Sequence, residues 1–163
     1  MFSTPEVPTQ AAKQASQSYE RMIVPTASEG LTEPKMVNQM GRKFVAIVDD
    51  DESIRAALQG FMKEAALPAQ SFSSAEEFLG SGELNEVACL VADIRMPGIS
   101  GLELQARLNA DRRRIPIVFI TAHGDENMRL QALRAGAVEF LAKPFDEEVL
   151  LDCVRAAMEN RAR

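Results

Sequence analysis

The sequence predicts an α/β protein built on a doubly wound, five-stranded parallel sheet flanked by five helices, with strand order 2-1-3-4-5. Three observations predict it. Short, nearly continuous apolar runs recur after residue 43, as expected of strands buried on both faces of a sheet. Amphipathic segments of helical period fill the gaps between them, which is what repeated strand–helix units require. Four of the runs end in polar groups: Asp49 with Asp50, Asp93, Thr121, and Lys143 before Pro144. In a parallel sheet those ends share one edge, so the pattern gathers three carboxylates, a hydroxyl and an ammonium in one place.

The first strand is expected at 44–48, an apolar stretch stopped by three acids. A helix at 53–66 follows, with Ile54, Leu58, Phe61 and Met62 on one face. Asp51 is the acid placed to begin that helix, because a carboxylate is favoured at a helix N-terminus. The second strand is expected at 69–72 and a short helix at 74–80, with Ser74 as its N-cap. A third strand at 88–92 runs into Asp93 and the loop Ile94-Arg95-Met96-Pro97-Gly98, whose Pro and Gly delay the next helix and leave the carboxylate accessible. That helix starts from Ser100 as its cap and turns Leu102, Leu104 and Leu108 inward. The fourth strand is expected at 115–120, and the fourth helix at 125–135 stops at Gly136. The fifth strand is expected at 137–141, and a last helix at 146–159 places Val149, Leu150, Cys153, Val154 and Ala157 inward.

Residues 1–42 have a different texture, rich in Ser, Thr, Gln and Ala, with prolines at Pro5, Pro8, Pro25 and Pro34. Too few large apolar groups are present to offset the entropy of ordering, so a disordered tail is expected before a domain at 43–163. One weak stripe, Ala11, Ala15, Tyr19 and Met22, has helical spacing. The tail carries four acids and four bases, so the net charge of −6 belongs wholly to the domain. An acidic domain is a poor match for a phosphate backbone, and no DNA binding is expected. No apolar stretch approaches the roughly 18 residues of a membrane span, and the N-terminus lacks the basic and apolar segments of a secretory signal. A cytoplasmic protein is expected, with Cys89 and Cys153 as reduced, buried thiols.

The chemistry follows from the gathered charges. Crowded carboxylates repel unless they are protonated or share a cation, and hard oxygen donors with room for water suit Mg²⁺. Asp93 is then a nucleophile beside a metal: attack of its carboxylate on a phosphoryl group gives an acyl phosphate, and Mg²⁺, Lys143 and Thr121 supply the charge and donors for the transition state. Taken singly, each signal is ordinary, an acid run being a solvated turn and a Lys-Pro pair a loop. The ordered set is specific.

The segments IVDDDESIR, VADIRMPGISG, FITAHGD and FLAKPF resemble the receiver domain of two-component response regulators, nearest the nitrogen-fixation regulator subgroup, with its flavodoxin-like arrangement. The resemblance implies that Asp93 is the phosphoacceptor, Asp50 a direct metal ligand and Asp49 a ligand acting largely through water. It also implies that Arg95 binds the metal through its backbone carbonyl, that Thr121 and Lys143 contact the phosphoryl group, and that Lys143-Pro144 is a cis peptide. Phe140 takes the place of the switch aromatic, which in this family is often a tyrosine, and it has no hydroxyl to offer a partner. Arg95 and His123 are implied as modulators flanking the path of attacking water. A sensor histidine kinase or a phosphotransfer protein is the implied partner, with homodimerisation through the fourth helix, fifth strand and fifth helix.

A metal-dependent phosphatase of similar topology is the rival, but it calls for a second acid two residues after the nucleophile, where this chain has Arg95. A receiver reduced to a binding module is disfavoured by the complete set of site residues. Only 18 residues follow Phe145, so a stand-alone receiver is expected, with a truncated transcription regulator as the alternative. The run Arg112-Arg113-Arg114 is expected to be a solvated loop end.

Overall fold

The structure, a computed structural model, describes residues 43–122 and 124–162. The expected tail and its weak helical stripe lie outside the described residues, as does His123. Among the described residues five strands and five helices alternate: β1 (Phe44–Val48), α1 (Glu52–Glu64), β2 (Ala69–Phe72), α2 (Ala75–Leu79), β3 (Val87–Asp93), α3 (Gly101–Ala110), β4 (Ile117–Thr121), α4 (Glu126–Arg134), β5 (Glu139–Ala142) and α5 (Glu147–Ala162). A 3-10 turn that the sequence pattern does not announce, Leu84–Glu86, precedes β3. The strands pair in parallel in the order β2-β1-β3-β4-β5, as the sequence predicts. Between β1 and β3 the order reverses, which opens a crevice at their C-terminal ends.

Strand alternation divides the core into two layers. Ala46, Val48, Leu90, Ala92 and Phe119 face Phe78 of α2, Leu104 and Leu108 of α3, and Ala132 of α4. Val45, Ile47, Cys89, Val91, Val118 and Ile120 face Leu58 and Met62 of α1 and Leu150, Val154 and Ala157 of α5. Every residue of β3 is buried, as a central strand covered on both faces requires. Each fully buried Leu or Phe here contributes about 2 kcal/mol by removal from water.

The helix starts are set by side-chain caps. Asp51 accepts from the amides of Ser53 and Ile54, Ser74 from that of Glu77, and Asp125 from that of Met128. Ser100 forms a reciprocal capping box with Glu103. Gly136, at φ 106°, stands where α4 ends, as expected. Other boundaries moved for local reasons. α1 stops two residues early because Ala66 takes a left-handed φ of 61°. β4 begins at Ile117 rather than 115, because Pro116 has no N–H and takes part only as an acceptor, its carbonyl receiving the Leu90 amide.

Three inward assignments are corrected. In α5, Val149 is 43% exposed and Cys153 only partly buried, because the helix is rotated to bury Leu150, Leu151, Val154 and Ala157. In α3, Leu104 and Leu108 are buried while Leu102 lies at the edge of the apolar face.

Candidate functional site

β1 delivers its acids to the crevice and then turns sharply. Asp49 is buried, and its Oδ1 accepts the Asp51 amide at 2.9 Å, which fixes the turn between the strand and α1. Arg55, one turn into α1, donates from a guanidinium nitrogen to the Asp49 carbonyl at 2.7 Å. Asp50 is exposed at the mouth of the crevice, and Asp51 is spent as the helix cap.

Asp93 is the last residue of β3 and is buried, with its Oδ1 placed 3.3 Å from the Arg95 amide. Carboxylate oxygens of Asp49, Asp50 and Asp93 all lie within 4.8 Å of one another. Lys143, just past β5, reaches across: its Nζ is 3.3 Å from Asp49 Oδ2 and 3.5 Å from Asp93 Oδ2. The same residue is tied to β4, since its amide donates to the Thr121 carbonyl at 2.9 Å. Thr121 ends β4 as a buried residue, and Lys143-Pro144 is a cis peptide.

The electrostatics match the crowding. Burial pushes the Asp49 carboxyl above its ordinary range and nearby Asp93 adds to the rise, while the Asp51 amide and Lys143 oppose it. A donor set made only of carboxylate oxygens, two buried and one exposed, suits a hard divalent cation that keeps part of its water shell.

Phe140, in β5, is half-buried, its ring centroid 6.5 Å from that of Phe119. A side chain added at Gly124 would strike the Phe140 ring and, at 2.6 Å, the Thr121 methyl, so Gly124 lies directly against both residues. Arg95 is exposed on the loop after Asp93.

Of the expected site residues, the fold thus gathers Asp49, Asp50, Asp93 and Lys143 directly and links Thr121 to them through the Lys143 backbone. Sequence reasoning missed Arg55 and Gly124. Arg55 had a signal, since a cation close to the N-terminus of a helix opposes the helix dipole and so calls for a local partner. Gly124 had none beyond being a glycine.

Comparison with known proteins agrees with this geometry. Residues 45–155 match the profile of the response regulator receiver domain. The chain is 44% identical over 119 residues to nodulation protein W of Bradyrhizobium diazoefficiens, covering 73% of this chain and 52% of that protein. It is 38% identical over 118 residues to the transcriptional regulatory protein FixJ of Azorhizobium caulinodans, covering 72% and 56%. The crystal structure of FixJ-N superposes with a TM-score of 0.66 at 38% identity, over 74% of this chain and 96% of that one. The chain spans about half the length of the curated relatives it matches. With five parallel strands in this order and the carboxylate cluster at their reversal point, the chain belongs to the response regulator receiver domain family.

Proposed function

We propose that the protein is a phosphorylation-dependent signalling switch whose Asp93 accepts a phosphoryl group from the phosphohistidine of a sensor kinase or phosphotransfer protein. The observation that carries this is the placement of Asp93, a strand-end carboxylate flanked by two further carboxylates and by the Lys143 ammonium at 3.5 Å. In the transfer, an Asp93 oxygen bonds to phosphorus as the phosphorus–nitrogen bond breaks, and the departing imidazole keeps the electron pair and takes up a proton. Asp49, Asp50, Asp93 and the Arg95 carbonyl would hold Mg²⁺, which when bound supplies charge neutralisation for the phosphoryl oxygens. Lys143, released from its carboxylates, pairs with a phosphoryl oxygen, and the Thr121 hydroxyl donates to another. Return to the resting state is hydrolysis of the acyl phosphate, with Arg95 and His123 as candidate modulators of its rate.

Thr121 ends β4 and Phe140 lies within the adjacent β5, so α4, β5 and α5 form the proposed output face for self-association or partner contact. Two exposed large apolar side chains support this: Val138 just before β5 and Val149 on α5. A second reading, control of transcription through that face, is favoured by the relative described as a transcriptional regulatory protein.

Incubation with acetyl phosphate and Mg²⁺, read by intact mass, should add one phosphoryl group to the protein. Chelation or Asp93→Asn should abolish the adduct. An undiminished adduct on Asp93→Asn would place the acceptor elsewhere.

A further inference from the structure

We infer that Glu76 of α2 is a positioning residue for the β3–α3 loop, holding through the Ile99 amide the backbone that presents Arg95 to the carboxylate cluster. The inference rests on the reading of Asp93 as phosphoacceptor and of the Arg95 carbonyl as a cation ligand.

The contact is specific in geometry. Glu76 Oε2 accepts the Ile99 amide at 3.0 Å, joining positions 23 residues apart. Gly98, next to Ile99, takes a left-handed φ of 77°, and a side chain there would overlap the Glu76 carboxylate. The loop therefore turns directly over this carboxylate, in a conformation that a residue lacking Cβ adopts without strain. Nor is Glu76 a loose tether, although it is exposed. Its helix is capped by Ser74 and anchored by Ala75 and Phe78, both fully buried, and the Phe78 ring packs edge-on against Phe72 with centroids 5.3 Å apart.

The neighbouring acid cannot substitute. Glu77 accepts from the Ser73 amide and hydroxyl at 2.7 and 3.0 Å, so its carboxylate is engaged on the far side of the cap. The loop's other backbone hydrogen bonds lie at its ends, where the Gly101 amide donates to the Ile94 carbonyl at 2.8 Å and the Arg95 amide faces Asp93, while Met96 between them buries its side chain in the core and Ile99 packs against it. Glu76 pins the crest between them. Without it, the segment carrying the Arg95 carbonyl must be ordered when a cation binds, and that ordering weakens affinity.

The test compares Glu76→Ala, which removes the acceptor, with Glu76→Gln, which keeps an amide oxygen at the same reach. Amide exchange at Ile99 should speed up in Glu76→Ala and remain near the parent rate in Glu76→Gln. Mg²⁺ binding, followed by calorimetry, should weaken about five- to tenfold in Glu76→Ala and less than about twofold in Glu76→Gln. Phosphorylation by acetyl phosphate should fall equally at low Mg²⁺ and recover at saturating Mg²⁺. Parent-like Mg²⁺ affinity in Glu76→Ala would overturn the inference. So would equal weakening in both variants, since the carboxylate would then act by its charge. Failure of the unaltered protein to bind Mg²⁺ or take up phosphate would instead sink the phosphoacceptor reading, while the Ile99 exchange would still report whether Glu76 holds the loop.

Discussion

Asp49→Asn should make the metal-free protein more stable at neutral pH. The carboxylate is buried with Asp93 and Asp50 oxygens within 4.8 Å, which at an effective dielectric of 20 corresponds to about 3.5 kcal/mol of repulsion for one such pair. Lys143 at 3.3 Å returns about 5 kcal/mol on the same scale. The two acids together oppose with about 7 kcal/mol, so about 2 kcal/mol of repulsion is left. To this is added the loss of water around a buried ion, several kcal/mol in real proteins, which is the leading reason that the Asp49 carboxyl is raised. An asparagine keeps an oxygen for the Asp51 amide and loses the charge, so a gain of about 1–2 kcal/mol is expected, or about 4–8 °C in melting temperature.

The sign with pH follows from linkage. The folded state holds a proton on Asp49 that the unfolded chain releases near the ordinary value of 3.8, so this group lowers stability as pH rises from there through its raised folded value. The advantage of Asp49→Asn should therefore be full at pH 7 and shrink as pH falls toward 3.8. Urea denaturation in EDTA across this range, followed by circular dichroism, measures it. In Mg²⁺ at about a hundredfold excess over Kd, the unaltered protein should gain about 2.7 kcal/mol and overtake the variant. A variant less stable than its parent at pH 7 in EDTA, or a difference that does not change with pH, would refute the reasoning.

Other outcomes follow from the packing and from Gly124 against the switch residues. Ser100→Ala removes one arm of the capping box and should lower stability by about 1 kcal/mol in urea melts, without loss of the fold. Leu104→Ala, at a fully buried site between α3 and the sheet, should cost about 2–5 kcal/mol by the same measurement. Burial pushes the Cys89 thiol up to about 12, so a thiol-reactive chromogenic disulfide at pH 8 should modify Cys153 in the native protein and Cys89 only after unfolding. Gly124→Ala forces Phe140 or Thr121 to move, and it should alter phosphorylation-dependent self-association, read by sedimentation, while leaving Mg²⁺ affinity nearly unchanged.

The strand order and the carboxylate cluster were legible in the sequence because buried strands impose a long apolar run, and a polar residue at its end marks the edge of the sheet. Asp49, Asp93, Thr121 and Lys143 all carry that mark. The rotation of α5 was less legible, since Val149, Leu150, Leu151, Cys153, Val154 and Ala157 make two overlapping stripes of helical period. Only packing on β3 and α1 selects the one that leaves Val149 outside.

The supports of the site were invisible for a different reason. Arg55 holds the Asp49 carbonyl and Glu76 holds the Ile99 amide, so each side chain addresses a backbone group. Backbone groups are nearly the same in every sequence, and such a contact leaves no complementary residue to find at the other end. The acids themselves repel one another and do nothing for the core, so their presence at strand ends is a signal of chemistry. The residues that hold their loops in place look like ordinary surface charges until the fold brings the two loops beside α1 and α2. It follows that variants at Arg55 and Glu76 should act on the reactive groups by letting the backbone move, with the carboxylates and the Lys143 ammonium still present, and their effects should be undone wherever a neutral acceptor or donor of the same length restores the hydrogen bond.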